Sequence, residues 1–264
     1  MHRLKWIVFI TISLCMLFGL FAGIFAHSIE AALTLGMDAN MPKTTPVTAS
    51  PTPSGSGKTP ATPTPLPTGV MMLAHDTFQR KPQILWGTAS DGRQWMGDAN
   101  SIEVFSITNN AGQIANGQGT FNAILGPTIT NAEVLFTASM NHFHQDKANF
   151  GAVLRWTDPK NWYKALLDGK QLQILRSVNG VIKPLGSVPF KPKDGAMYTI
   201  RFRALGATLS LKAWQSGQPE PANWMLTVTD PSLTSGFGGI RVLMLNDSMV
   251  QVTSFLETTL GTMA

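Results

Sequence analysis

Apolar and polar positions follow two unlike patterns along this chain. Near its start, Trp6 to Ala26 reads WIVFITISLCMLFGLFAGIFA, a run without a charged side chain. A helix needs about 20 such residues to cross a hydrocarbon core of roughly 30 Å, so the run predicts a transmembrane helix over residues 6–26. From residue 71 onward the period is two. Val134, Phe136, Ala138 and Met140 share one face of AEVLFTASM, as do Ala152, Leu154 and Trp156 in GAVLRW and Tyr198, Ile200 and Phe202 in MYTIRF. An extended strand with one buried face alternates in this way. The same pattern predicts strands in SIEVFSI, QLQILRS, ATLSLKAW, GGIRVLML and MVQVTSFLE, and no stretch has a convincing helical period. Asp168-Gly169 and Asn179-Gly180 bracket KQLQILRSV. Both dipeptides suit a type I′ hairpin turn, whose central positions need positive φ. Short strands with such turn signals predict an all-β fold over residues 71–264, a two-sheet antiparallel sandwich of the jelly-roll kind.

Composition separates the two patterned regions. Residues 27–70 become rich in Pro, Thr and Ser, as in TTPVTASPTPSGSGKTPATPTPLPTG. Such a segment buries too little surface to offset its ordering entropy, and its prolines favour an extended chain. It reads as a disordered linker, a semi-rigid stalk open to O-glycosylation. Arg3 and Lys5 precede the apolar run, and no Lys or Arg follows before Lys43. Residues 1–5 are therefore expected inside, with the C-terminal domain extracytoplasmic on a single-pass anchor. A secretory signal cleaved at Ala26-His27-Ser28 is the alternative, and it would release a secreted protein. The one cysteine, Cys15, sits within the apolar run, so the exported part relies on packing without disulfides.

Charge narrows the partners. The chain has 20 Lys and Arg against 15 Asp and Glu, and four of the basic residues (Arg3, Lys5, Lys43, Lys58) and two of the acidic ones (Glu30, Asp38) precede residue 69. The domain is only mildly basic, and no nucleic-acid partner is expected. KPKDGAMYTIRFR, residues 191–203, is locally positive, with Arg201 and Arg203 alternating with Ile200 and Phe202 as on a wet strand face.

Residues 76–95, DTFQRKPQILWGTASDGRQW, contain Asp76, Phe78, Arg80, the Trp86-Gly87 pair, and Trp95 behind Asp91-Gly92. In these they resemble the opening of concanavalin A-like lectin/glucanase domains, the laminin G-like group of bacterial surface proteins. Gly151, Arg155, Asp158, Asn161 and Tyr163 fit a second pattern of that family. The end, LTSGFGGIRVLMLNDSMVQVTSFLETTL, is similar to its closing strands, where the last strand returns beside the first. The resemblance spans nearly all of residues 71–261. It implies the sandwich, a saccharide ligand and calcium as the ion to expect, with Asp76 as the candidate ligand to it. A shared fold does not by itself assign a function.

The candidate ligand-binding residues are Arg155, Asp158, Asn161, Trp162 and Tyr163, in RWTDPKNWYKALLDG. Sugar rings stack on aromatics, and their hydroxyls need directional polar partners. Trp162 and Tyr163 are neighbours, so on a strand they point to opposite faces and at least one leaves the core. Arg155 points opposite to Leu154 and Trp156, which places it on the sheet's outer, concave face. Trp156, in step with Leu154, should face the core. Asp158-Pro159 and Asp168-Gly169 turn the chain on either side of the strand between them.

Catalysis has less support. Glycosidases that this domain resembles carry a Glu-x-Asp-x-x-Glu strand. Retaining hydrolysis needs two carboxyls about 5 Å apart, and inverting hydrolysis needs them at roughly 6.5–9.5 Å. Glu103, Glu133, Asp146, Asp158 and Asp168 are scattered, and there is neither a Gly-x-Ser-x-Gly elbow nor a phosphate loop. His142 and His144, with Asp146 in step, have the spacing of a metal pair, but a polar loop between strands is the better explanation. The reading is a membrane-anchored carbohydrate-binding or adhesion module without catalysis and with no required cofactor. The alternatives are a glycoside hydrolase-like enzyme and a structural or protein-binding surface domain.

Overall fold

The alternating segments form sixteen antiparallel strands in a computed structural model that describes residues 69–144 and 147–260. The apolar run 6–26 and all but the last two residues of the 27–70 segment lie outside the described residues. No helix long and apolar enough to cross a membrane occurs among the described residues.

One sheet runs, in spatial order, β14 (Leu226–Thr229), β13 (Thr208–Gln215), β12 (Met197–Leu205), β7 (Ala132–Met140), β16 (Val250–Thr259), β5 (Ala111–Ile114), β4 (Phe105–Thr108) and β2 (Gln83–Ile84). Its ninth strand, β1 (Met72–Asp76), also pairs with β16. The other sheet runs β11 (Val181–Pro189), β10 (Gln171–Val178), β9 (Asn161–Leu167), β8 (Asn149–Asp158), β15 (Gly236–Met244), β6 (Gly119–Ile129) and β3 (Met96–Gly97). The apolar positions of both sheets meet in one buried cluster: Val134, Phe136 and Ala138 from β7, Ile200 and Phe202 from β12, Phe150, Ala152 and Leu154 from β8. Phe136 and Phe150 touch edge to face across it at 6.0 Å, a geometry favoured by the ring quadrupole.

The last strand lies beside the first, as the resemblance implies. Met72 registers with Thr258 and Asp76 with Phe255. Beyond the ladder, Met71 N donates to Thr259 Oγ1 at 2.9 Å and Thr259 N to Met71 O at 2.9 Å.

The turns depart from expectation in an instructive way. Asn179 and Gly180 take φ of 53° and 82°, as their type I′ turn requires. Asp168 and Gly169 also join two strands, β9 and β10, but neither takes positive φ. The Asp168 carboxylate instead accepts the N–H groups of Lys170 (2.7 Å) and Gln171 (2.8 Å), closing the turn with its side chain. Of SIEVFSI, only the part from Phe105 is strand, because Asp98–Asn100 form a 3-10 turn just before it.

Asp76 organises the opening motif. Its Oδ1 accepts from Phe78 N (2.8 Å), Arg80 Nη1 (2.7 Å) and Ser90 Oγ (3.0 Å), and its Oδ2 from Arg80 Nη2 (3.0 Å) and Trp95 Nε1 (2.7 Å). Burial alone would raise this carboxyl. The bonds from Arg80, Trp95 and Phe78 N, with the Arg80 charge, outweigh that and hold it below the usual range. Trp86 and Trp95 close over it, 4.8 Å apart and edge to face. A second buried acid has no such company. Glu257 is fully buried, and neither of its oxygens has a hydrogen-bond partner among the described residues. Gly126 and Gly238 leave it room, since a Cβ on either would collide with its carboxyl.

Candidate functional site

The residues expected to meet a ligand are drawn apart by a β-bulge. The register of β8 with β9 and β15 breaks after Leu154, where Arg155 takes φ of 52°. An extra residue in one strand reverses the face of every side chain that follows it. Arg155 therefore leaves the outer face and is 2% exposed. Its Nε and Nη2 donate to Thr130 O (3.1 and 3.0 Å), Nη1 to Leu233 O (2.6 Å) and Nη2 also to Gly206 O (2.5 Å). The expectation of an open guanidinium is thus corrected: Arg155 ties three loops together through their carbonyls. Trp156, expected in the core, is half-buried against Phe237 at 6.5 Å.

Tyr163 and Trp162 do point to opposite faces. Tyr163 is in the core, where its hydroxyl donates to Asp230 (Oδ1 at 2.6 Å) and accepts from Leu233 N at 3.0 Å. Burial, then the Asp230 bond, push its hydroxyl up to about 12. Trp162 leaves the core but is 2% exposed, with Nε1 donating to Pro159 O at 2.9 Å and the Arg241 guanidinium 4.5 Å over its ring. The expected open stacking platform is therefore a closed one, topped by a cation. Asp158 and Asn161 pair with each other across the hairpin: Asn161 Nδ2 donates to Asp158 Oδ2 at 2.9 Å, and Lys160 N to Asp158 Oδ1 at 2.7 Å. These bonds lower the Asp158 carboxyl, the Asn161 bond most. At Asp76, where calcium was expected, the Arg80 guanidinium sits and both oxygens are committed, so the residues present do not fit a metal there. Among the described residues no group of three His, Cys, Asp or Glu is placed to hold one. His142 and His144 lie edge to face at 5.9 Å, each facing its own acid, Asp194 (3.2 Å) and Asp247 (3.0 Å), while Asp146 lies outside the described residues. Arg201 and Arg203 are ion-paired to Glu133, and Arg201 also to Glu220, which neutralises the locally basic strand.

A different constellation occupies the outer face of the seven-stranded sheet. Pairing places Trp162, Lys164 and Leu166 of β9 beside Ser177, Leu175 and Gln173 of β10. On the other side, Lys164 registers with Val153 and then Gly239, and Leu166 with Gly151 and then Arg241, which faces Asn122. An added Cβ at Gly151 would overlap the Ala165 carbonyl, so this position admits only glycine and leaves nothing between Leu166 and Arg241.

Hydrogen bonds link the set. Asp98 Oδ2 accepts from Asn122 N (2.8 Å) and Nδ2 (3.1 Å), Asn122 Oδ1 accepts from Arg241 Nη1, and Arg241 lies on Trp162. Lys164, 3% exposed, donates from Nζ to Asn149 Oδ1 at 2.5 Å. Neither Lys164 nor Arg241 forms an ion pair among the described residues. Burial, then the charge of Arg241, hold the Lys164 ammonium well below its ordinary range. Burial also lowers Arg241, against the pull of Asp98. The sequence did carry a signal for this pair. Lys164 in NWYKALL and Arg241 in GGIRVLML are cations inside apolar strands, each out of step with its core-facing neighbours.

No family model and no curated protein sequence matches the chain. Solved structures do. The GH43 BlXynB protein from Bacillus licheniformis aligns with a TM-score of 0.54 at 10% identity, over 70% of this chain and 39% of that one. Xylan beta-1,4-xylosidase from Bacillus halodurans C-125 aligns with a TM-score of 0.53 at 15% identity, over 76% and 41%. The carbohydrate binding module CBM66 from Bacillus subtilis aligns with a TM-score of 0.49 at 14% identity, over 61% and 94%. The chain thus spans about two fifths of the length of the two glycosidase-family proteins. The fold shared with the two longer proteins is an all-β, antiparallel two-sheet sandwich, consistent with the resemblance seen in the sequence.

Proposed function

We propose that this chain is a carbohydrate-binding module, held outside the cell membrane by residues 6–26 and carried on the 27–70 stalk, that binds saccharide without hydrolysing it. The observation that carries this reading is the outer face of the seven-stranded sheet. The opposite face already makes the core, yet this one gathers Asn122, Asn149, Lys164 and Arg241 around Trp162, with Gln173 beside them. Amides and cations on a rigid sheet offer saccharide hydroxyls directional partners with little left to order on binding. Trp162 acts by holding Arg241 in place. Among the described residues, the one carboxylate bonded into this network is Asp98, and it is engaged by Asn122 with no second carboxyl beside it to act as acid and nucleophile.

The test is a glycan array probed with the detergent-solubilised full chain. Saccharide binding is expected, with Arg241→Ala and Trp162→Ala each weakening it about tenfold or more, the loss typical of an interfacial anchor. Release of reducing sugar would overturn the non-catalytic reading. Binding to proteins but to no glycan would overturn the saccharide reading in favour of an adhesion surface.

A further inference from the structure

Resting on that reading, we infer that the saccharide this face takes is anionic, one whose carboxylate or sulfate oxygens lie against Lys164 and Arg241. The two cations come from β9 and β15 and stand diagonally across β8, with side-chain-free Gly151 next to Arg241. Each has a neutral amide oxygen as its side-chain partner, Asn149 for Lys164 and Asn122 for Arg241. Asp98 stands one residue further off, behind Asn122. The other neighbours on this face, Val153, Leu166, Gln173 and Leu175, are uncharged.

Two like charges close together in a poorly solvated place are costly unless something of opposite sign joins them. A neutral sugar's hydroxyls can accept from these donors but leave both positive charges unanswered. An oxyanion answers both cations, and its charge would offset the burial and the Arg241 repulsion that disfavour the ammonium form of Lys164. Arg241, Gln173 and Leu175 are half-buried and form the solvent side of the cluster.

The experiment is a glycan array of uronate-, sialate- and sulfate-bearing saccharides with their neutral counterparts, probed with the full chain in detergent, followed by titration of the strongest ligand. Acidic members should bind about tenfold or more tightly than their neutral counterparts, and added salt should erode the difference. Lys164→Met and Arg241→Gln should each bring acidic ligands down to the neutral level, and thermal unfolding reports whether each variant is folded. Arg241 is only half-buried, so its variant serves even where the lysine change perturbs packing. The uronate and sulfate arms tell which oxyanion is preferred. Neutral ligands that bind as well as acidic ones, or full acidic preference in both folded variants, would overturn this inference and leave saccharide binding standing. Silence across the array would overturn both.

Discussion

Among single residues, the buried ionisable groups divide by what surrounds them. Asp76 has five donors and is a structural anion. Lys164 has one amide. Glu257 has none, and burial pushes its carboxyl up to about 8, against the attraction of Arg93. In the unfolded chain the same group titrates near 4.5. Below that pH it is neutral in both states and adds no pH dependence to folding. Between the two values the folded protein holds a proton that the unfolded chain has released, so stability falls as pH rises and the loss is complete above about 8. The gap is worth on the order of 5 kcal/mol at most. Glu257→Gln should therefore unfold near the wild-type denaturant midpoint at pH 4, and at a clearly higher one at pH 8. A constant offset between the two proteins across that range would refute the assignment. The environment of Glu257 could not be read from the chain itself, because Gly126 and Gly238, which line it, come from strands far apart in sequence. Calcium at Asp76 was expected from the resemblance alone. The aspartate was visible in the motif, but its partnership with Arg80 and Trp95 needed the fold.

Single strands were mostly legible, and the errors cluster where an element departs from regular geometry. Alternation located β7, β8, β12 and β15, and it correctly set Tyr163 and Trp162 on opposite faces. It failed at Arg155, because counting by twos assumes an uninterrupted ladder and the β8 bulge inserts one residue. Asn109-Asn110 likewise turns β4 into β5 with φ of 50° and 58°, although its residues lack the glycine that marks the commonest hairpins. The bulge explains what Arg155 does. Three loops converge on its guanidinium, and removing it would leave the carbonyls of Thr130, Leu233 and Gly206 without their shared donor. Arg155→Ala should cost about 2–4 kcal/mol of unfolding free energy, and Arg155→Lys should recover little of it, since an ammonium cannot reproduce the planar fork. Denaturant titration measures both. Saccharide affinity in whatever fraction stays folded should be unchanged, which separates this clamp from the Arg241 site.

At the scale of the molecule, two layers of extended chain enclose one core, and that much followed from period, turn signals and length alone. The proposed ligand face did not, because it arises only when β9, β8, β15 and β6 are laid side by side, an order that no single stretch of sequence displays. Charged positions out of step in separate strands were the available clue, and the pairing converts them into a cluster. The closure of the other sheet has a topological consequence. Since β1 and β16 are antiparallel partners and Met71 and Thr259 bond to each other, the domain begins and ends at one place. A linker of roughly four to six residues can join residue 260 to residue 70 while new ends are opened at the exposed Asn179-Gly180 hairpin. Such a circular permutant should keep the far-ultraviolet dichroism and cooperative melting of the parent domain. An attachment leader fused at the new opening would then present the same molecule from the side of β10 and β11, so the direction from which the module is held can be changed while its ladders stay as they are.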